Sequence, residues 1–156
     1  MKYVDTQVVF REVPDELTLA INISGCPVKC PGCHSSYLTR DIGETLDVNS
    51  LDKLIDANPG VSCVSFMGGD ADLAYVGMLA RHVRSRGLKT CWYSGRELEN
   101  AEPVLDSLDF VKVGPYIDEF GPLDYETTNQ RFYRIEHGPH GPELTDWTRR
   151  FRKVVF

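Results

Sequence analysis

Cys26, Cys30 and Cys33 lie within eight consecutive positions of the stretch SGCPVKCPGCHSSY, residues 24–37. Thiolates are soft ligands, so three of them in one loop narrow the chemistry to zinc, an iron–sulfur centre or copper. A closed zinc site needs four ligands, commonly two pairs on separate knuckles. This loop has no second pair, and its fourth candidate, His34, directly follows Cys33, where two neighbouring side chains rarely reach one tetrahedral centre. A cubane iron–sulfur cluster normally takes four cysteines. Three cysteines at C-x3-C-x2-C leave one corner without a protein ligand, and Pro27, Pro31 and Gly32 shape the loop around it. An open coordination position is where chemistry takes place.

The other two cysteines, Cys63 and Cys91, sit in the apolar runs VSCVSF and KTCWY, where a thiol reads as a small buried hydrophobe. Clustered thiols without an export signal point to a reducing compartment, so the expected location is cytoplasmic. The 156 residues suffice for one domain, expected to span 1–156. Hydrophobic residues make up 42% and charged residues 26%, an ordinary globular balance. With 17 basic and 23 acidic residues, the net charge of −6 gives no overall positive field for nucleic acid, and no apolar run is long enough for a membrane.

The thiol loop must be held by something regular. LTLAINIS (17–24) reads as a strand that runs into Gly25 and the cysteines. TLDVNSLDKLIDANPG reads as a short helix capped by Asn49 or Ser50, with Leu51, Leu54 and Ile55 as its apolar stripe. VSCVSFM (61–67) is a strand covered on both faces, and ADLAYVGMLARHVRSRG a helix presenting Leu73, Val76, Leu79, Ala80 and Val83. A strand at 88–93, a helix at 96–108 broken or begun at Pro103, and a strand at 109–113 complete the pattern. Strands alternating with helices predict an α/β fold of right-handed βαβ units with a mostly parallel sheet or partial barrel. Its regular core spans about 17–114, and 115–156 is less regular.

In such folds the loops leaving the carboxyl ends of the strands build the site. Here those loops are Ser24-Gly25, Met67-Gly68-Gly69-Asp70, Tyr93-Ser94-Gly95 and Val113-Gly114-Pro115-Tyr116, each with a glycine that lets backbone approach a ligand. Beyond residue 115, His137 and His140 in EHGPHGPE read as a surface turn rather than a metal pair. Arg149, Arg150, Arg152 and Lys153 form a basic patch suited to an acidic partner surface.

The cysteine trio after a strand resembles the signature of the radical S-adenosylmethionine superfamily, and Gly68-Gly69-Asp70 resembles its GGE motif with Asp in place of the commoner Glu. SGCPVKCPGC, CWYSG, VKVGPYID and Asn129-Gln130-Arg131 are similar to stretches of one subfamily, the activating proteins of anaerobic ribonucleoside-triphosphate reductase. The resemblance covers residues 17 to 135. It implies a partial (β/α) barrel of the radical S-adenosylmethionine type, since a full eight-stranded barrel takes about 250 residues. It also implies a 4Fe–4S cluster on Cys26, Cys30 and Cys33 that binds S-adenosylmethionine through the open iron. Gly32, Cys33 and His34 would line the adenine, Gly68, Gly69 and Asp70 the methionine moiety, and Ser94 the ribose. No catalytic residue beyond the cluster ligands is implied.

The implied reaction is reductive cleavage of S-adenosylmethionine, fed by an external one-electron reductant, that leaves a glycyl radical on the large subunit of the reductase. The alternatives are another small radical enzyme, either like the activase of pyruvate formate-lyase or modifying a nucleobase, and a zinc-binding interaction module.

Overall fold

The computed structural model describes residues 1–25 and 42–152. Among the described residues eight strands form one sheet: β1 (Lys2–Val9), β2 (Thr18–Ile23), β3 (Glu44–Thr45), β4 (Cys63–Met67), β5 (Lys89–Tyr93), β6 (Phe110–Val113), β7 (Arg131–Gly138) and β8 (Gly141–Asp146). Their order across the sheet is β3-β1-β2-β4-β5-β6-β7-β8. The helices α1 (Val48–Asp56), α2 (Leu73–Ser85) and α3 (Leu98–Ala101) connect the central strands, and 3-10 turns follow at Glu102–Ser107 and Thr148–Phe151.

The centre of the sheet is parallel: β2 pairs with β4, β4 with β5 and β5 with β6. The flanks are not. β1 runs antiparallel to β2 and to β3, and β6–β7–β8 continue antiparallel at the other edge. Three of the seven pairings are therefore parallel and four antiparallel, and the expectation of a mostly parallel sheet holds only between β2 and β6. The physical reason lies in the connections. Parallel neighbours need a long crossover, which the α1, α2 and α3 segments supply. The two-residue link Pro139-His140 between β7 and β8 permits only a hairpin.

The sequence accounts for the local elements. Asp47 caps α1: its carboxylate accepts from Ser50 N at 2.8 Å while Ser50 Oγ accepts from Asp47 N at 2.8 Å. The cap thus lies two residues before Asn49 and three before Ser50, and Ser50 is the reciprocal member of a capping box. Asp72 caps α2 by accepting from Tyr75 N at 3.1 Å, and Val76, Leu79, Ala80 and Val83 of that helix are buried. The helix expected over 96–108, broken or begun at Pro103, is interrupted at Glu102–Pro103, where proline withholds an N–H and the chain tightens into a 3-10 turn.

Two apolar clusters cover the two faces of the sheet. On the helical face Leu19, Ile21, Ile23, Val64, Phe66, Trp92 and Val111 pack against α1, α2 and the Glu102–Ser107 turn. On the opposite face Cys63, Cys91, Phe110 and Phe132 lie beneath Val13 from the β1–β2 connection, with Trp147 and Phe151 packed against them. The Phe132 and Phe151 ring centroids are 4.7 Å apart. Cys63 and Cys91 are fully buried here, as expected of small apolar residues.

Trp92 ties the helical core to the strand ends. Its indole is fully buried and its Nε1–H donates to the Gly68 carbonyl at 2.6 Å. Trp92→Phe is expected to lower unfolding free energy by about 2 kcal/mol, through lost packing and a stranded carbonyl. Chemical denaturation of the two proteins under identical conditions measures the difference.

Candidate functional site

The registers of the parallel ladder align Asn22, Met67, Tyr93 and Lys112 across β2, β4, β5 and β6. The residues that follow therefore emerge along one edge of the sheet, as the strand-end reading requires. Backbone bonds continue the alignment past the strands. Gly68 N donates to Tyr93 O at 3.1 Å, Ser94 N to Lys112 O at 2.8 Å and Gly114 N to Arg96 O at 2.7 Å.

Gly68 and Gly69 both stand at positive φ, +114° and +91°. A Cβ on Gly68 would lie 3.0 Å from Ile23 O, and one on Gly69 would lie 2.7 Å from Val76 Cγ2. Conformation and close packing together demand glycine at these positions. The turn is also where α2 begins, with Asp72 N donating to Gly69 O at 3.2 Å.

Asp70 follows with a carboxylate only 1% exposed. Ser94 Oγ–H donates to its Oδ1, Gly95 N lies 3.5 Å from its Oδ2, and Arg96 Nε lies 3.7 Å from Oδ1. Arg96 Nη2 also donates to the Asp70 backbone carbonyl, and Arg96 N to Ser94 Oγ at 2.9 Å. Lys112 Nζ bridges the Ser94 and Gly114 carbonyls at 3.1 Å each. Burial raises the Asp70 pKa above the ordinary carboxylate range, while the Ser94 hydroxyl, the Gly95 N–H, Arg96 and Lys112 pull in the other direction. Two residues expected to contact a cofactor separately thus bond each other across β4 and β5.

Asn129 and Gln130 brace the end of β6: Asn129 Nδ2 donates to Pro115 O at 3.0 Å and Gln130 Nε2 to Gly114 O at 3.3 Å. Arg96 and Lys112 were not among the sequence-derived candidates. The signal for Arg96 was its place directly after Tyr93-Ser94-Gly95, but a cation at a helix start reads as solvated surface.

Cys26, Cys30, Gly32, Cys33 and His34 lie outside the described residues. The described residues on either side of them do meet at β2. Ser24 N donates to Lys2 O at 3.0 Å, and Ser24 Oγ donates to Ile42 O at 2.5 Å. The chain therefore leaves the described fold just after Ile23, which lies against Gly68, and rejoins it at Ile42, held to Ser24 on the β1 side of β2.

The family model of the 4Fe-4S single cluster domain matches residues 17–134. The chain belongs to this family. Neither a curated protein nor a solved structure matches it.

The matched span of this iron–sulfur family begins at the start of β2 and ends within β7, so it contains the parallel centre, the cysteine segment and all four glycine-bearing strand ends. A 4Fe–4S cluster requires thiolates. Burial pushes the Cys91 thiol up to about 12 and raises the Cys63 thiol too, so both stay protonated at neutral pH. Both lie within strands on the face away from the helices, below the edge where the loops gather. The remaining thiols of the chain are Cys26, Cys30 and Cys33, a soft donor set that fits such a cluster. Among the described residues no group of three or more His, Cys, Asp or Glu side chains is placed to hold a metal ion, and no helix is long and apolar enough to cross a membrane. His137 is engaged elsewhere, with Nε2 2.8 Å from Leu108 O, and His140 occupies the β7–β8 turn.

Gly69→Ala is expected to destabilise by about 2 kcal/mol, from positive φ and the clash with Val76. A second change, Val76→Ala, relieves only the clash, so the double variant remains less stable than Val76→Ala alone in urea titrations. Asp70 sets a pH dependence. Because folding raises its pKa, the stability it contributes is complete below the ordinary carboxylate range and is lost as pH rises through the folded value. Asp70→Asn is expected to remove that component of the slope, read from denaturation midpoints across the carboxylate range.

Proposed function

We propose that the protein is a radical S-adenosylmethionine activase that installs a glycyl radical on anaerobic ribonucleoside-triphosphate reductase. The observation carrying this reading is that the described chain enters the cysteine segment at the carboxyl end of β2, where Ile23 lies against Gly68, and returns at Ile42, held to Ser24, in a member of a 4Fe–4S single-cluster family. Three thiolates from Cys26, Cys30 and Cys33 would hold the cluster and leave one corner for the amino and carboxylate groups of S-adenosylmethionine. When bound, the cluster supplies the electron that cleaves the carbon–sulfur bond, drawn from an external one-electron reductant.

The remaining residues bind and position. Gly68 and Gly69 hold backbone at the strand edge where a side chain would collide with Ile23 or Val76, which suits close approach of the methionine moiety. Gly32, Cys33 and His34 are assigned to the adenine by their place in the motif. Asp70 and Ser94 are each 1% exposed and bonded to one another, so we assign them to fixing the loops rather than to direct contact with methionine or ribose. Arg96 acts with them by joining the β4, β5 and β6 ends. The parallel centre carries helices on one face, and the other is covered by the β1–β2 connection and the C-terminal turn. That arrangement supports a fold of the partial-barrel type.

Anaerobically reconstituted protein should contain about four irons and four sulfides per chain and be brown. With a reductant and S-adenosylmethionine it should release methionine and 5′-deoxyadenosine, and with the reductase give a glycyl doublet in electron paramagnetic resonance. Cys30→Ala should abolish colour and cleavage together. Cleavage surviving that change overturns the ligand assignment, while cleavage without a radical on the reductase overturns the choice of partner. A colourless protein holding one zinc per chain overturns the reading altogether.

A further inference from the structure

On the sheet face opposite the helices lies a cavity of about 800 Å³ that the strand-end site does not use. Its walls come from three distant parts of the chain. The β1–β2 connection gives Phe10 and Arg11, the β6–β7 connection gives Leu123, and the C-terminal turn gives Phe151 and Arg152. Tyr93 closes the side nearest the strand ends. Its hydroxyl donates to the Glu12 carbonyl, which fixes the ring, and the next residue is Ser94 of the site. An occupant of this cavity is therefore one residue away from the loops that gather beside the cysteine segment.

The chemistry of the walls is specific. Phe10 is 71% exposed, so a large ring stands in solvent without a core to fill. Arg11, which is exposed, makes no ion pair among the described residues, and its guanidinium lies 5.9 Å from the Phe10 ring centroid. Arg150, also in the lining, pairs with Asp15 at 2.6 Å and stacks on Trp147 with its guanidinium 4.4 Å from the ring centroid. Arg152 meets Glu126 at 3.5 Å, yet Glu126 is 86% exposed and Arg152 Nε is buried without a partner. Glu12 and Asp124 also border the space, so selectivity depends on where an occupant's charges fall rather than on a net positive field.

Exposed aromatic rings beside guanidinium forks are the composition of protein-binding hot spots. The guanidinium fork matches a carboxylate bidentately. A solvent-facing pair such as Arg152–Glu126 contributes little to folding, so an incoming carboxylate can replace Glu126 at small cost. The basic patch singled out in the sequence thereby acquires a location, since Arg150 and Arg152 belong to it and Arg11 joins it from the other end of the chain.

We propose that this cavity docks a segment of the partner polypeptide carrying a large apolar side chain flanked by carboxylates, which Arg11 and Arg152 receive while Phe10 and Phe151 pack on the apolar group. The proposal deepens the activase reading and rests on it, the partner being the large subunit of the reductase.

The test uses anaerobically reconstituted protein, with the dissociation constant for purified reductase and partner-free S-adenosylmethionine cleavage measured side by side. Arg11→Glu and Phe10→Ser are each expected to weaken the complex about tenfold or more, with iron content and partner-free cleavage as in the unaltered protein. Arg11→Lys should fall between. Glu126→Gln, which frees Arg152, should tighten the complex severalfold, an effect that a purely structural role would not produce. Wild-type affinity in both Arg11→Glu and Phe10→Ser, with the radical still formed on the reductase, overturns the docking site and leaves the activase reading intact. Cleavage by a wild-type protein that does not bind the reductase overturns the choice of partner and the docking site together. No cleavage by the loaded wild-type protein overturns the activase reading itself.

Discussion

A carboxylate in a nearly waterless position is the constraint around which the strand ends are arranged. Asp70 sits at the exit of β4 with 1% of its surface exposed. An unpaired charge there would be strongly unfavourable, so the surrounding sequence must supply donors. It does so from the neighbouring strand: the Ser94 hydroxyl, the Gly95 N–H and the Arg96 side chain all come from the loop that follows β5. Through Arg96 O and Gly114 N the same knot reaches β6. Three loops that would otherwise move independently are thereby held in one arrangement, and glycines at positions 68 and 69 let the backbone pass close enough for the knot to close.

The chain separates two groups of cysteine by their place relative to the strands. Cys63 and Cys91 belong to a dry aromatic layer with Phe110 and Phe132, where burial keeps a thiol protonated and a weak nucleophile. The other three belong to the segment that begins beyond Gly25, which follows the end of β2 in sequence. The same atom type thus serves as packing in the strands, while the activase reading assigns the thiols beyond Gly25 to the cluster. The difference is set by where along a strand each residue falls: within β4 and β5 for the first pair, beyond the end of β2 for the trio.

The centre of the fold was legible because its physics is local. β2, β4, β5 and β6 are short apolar runs ended by glycine, and α2 has a clean 3.6-residue stripe with a basic last turn. The flanks were not legible for an equally physical reason. β1 carries Lys2, Asp5 and Gln7, and β7 buries only Phe132 and Ile135 among charged neighbours. These strands are antiparallel and only partly covered, so alternation is diluted, and their register depends on pairing partners that no local pattern announces. At the site, the glycines and Asp70 announced themselves by position after a strand. The bond from Ser94 to Asp70 joins residues 24 positions apart, and Lys112 joins from β6, so only the assembled ladder reveals that they act together.

The hydrogen bond from Ser24 to Ile42 gives the molecule a modular character. It clamps the chain on both sides of the cysteine segment, so the scaffold registers the stretch between as a closed excursion whose length matters little. Closure entropy grows only by about 0.6 kcal/mol for each doubling of such an excursion. The stretch between the last thiol and Ile42 can therefore be lengthened or shortened while the sheet stays in register, and the C-x3-C-x2-C spacing answers to the chemistry alone. A family of single-cluster proteins built on this plan can diversify its chemistry in one cassette without having to invent a new core.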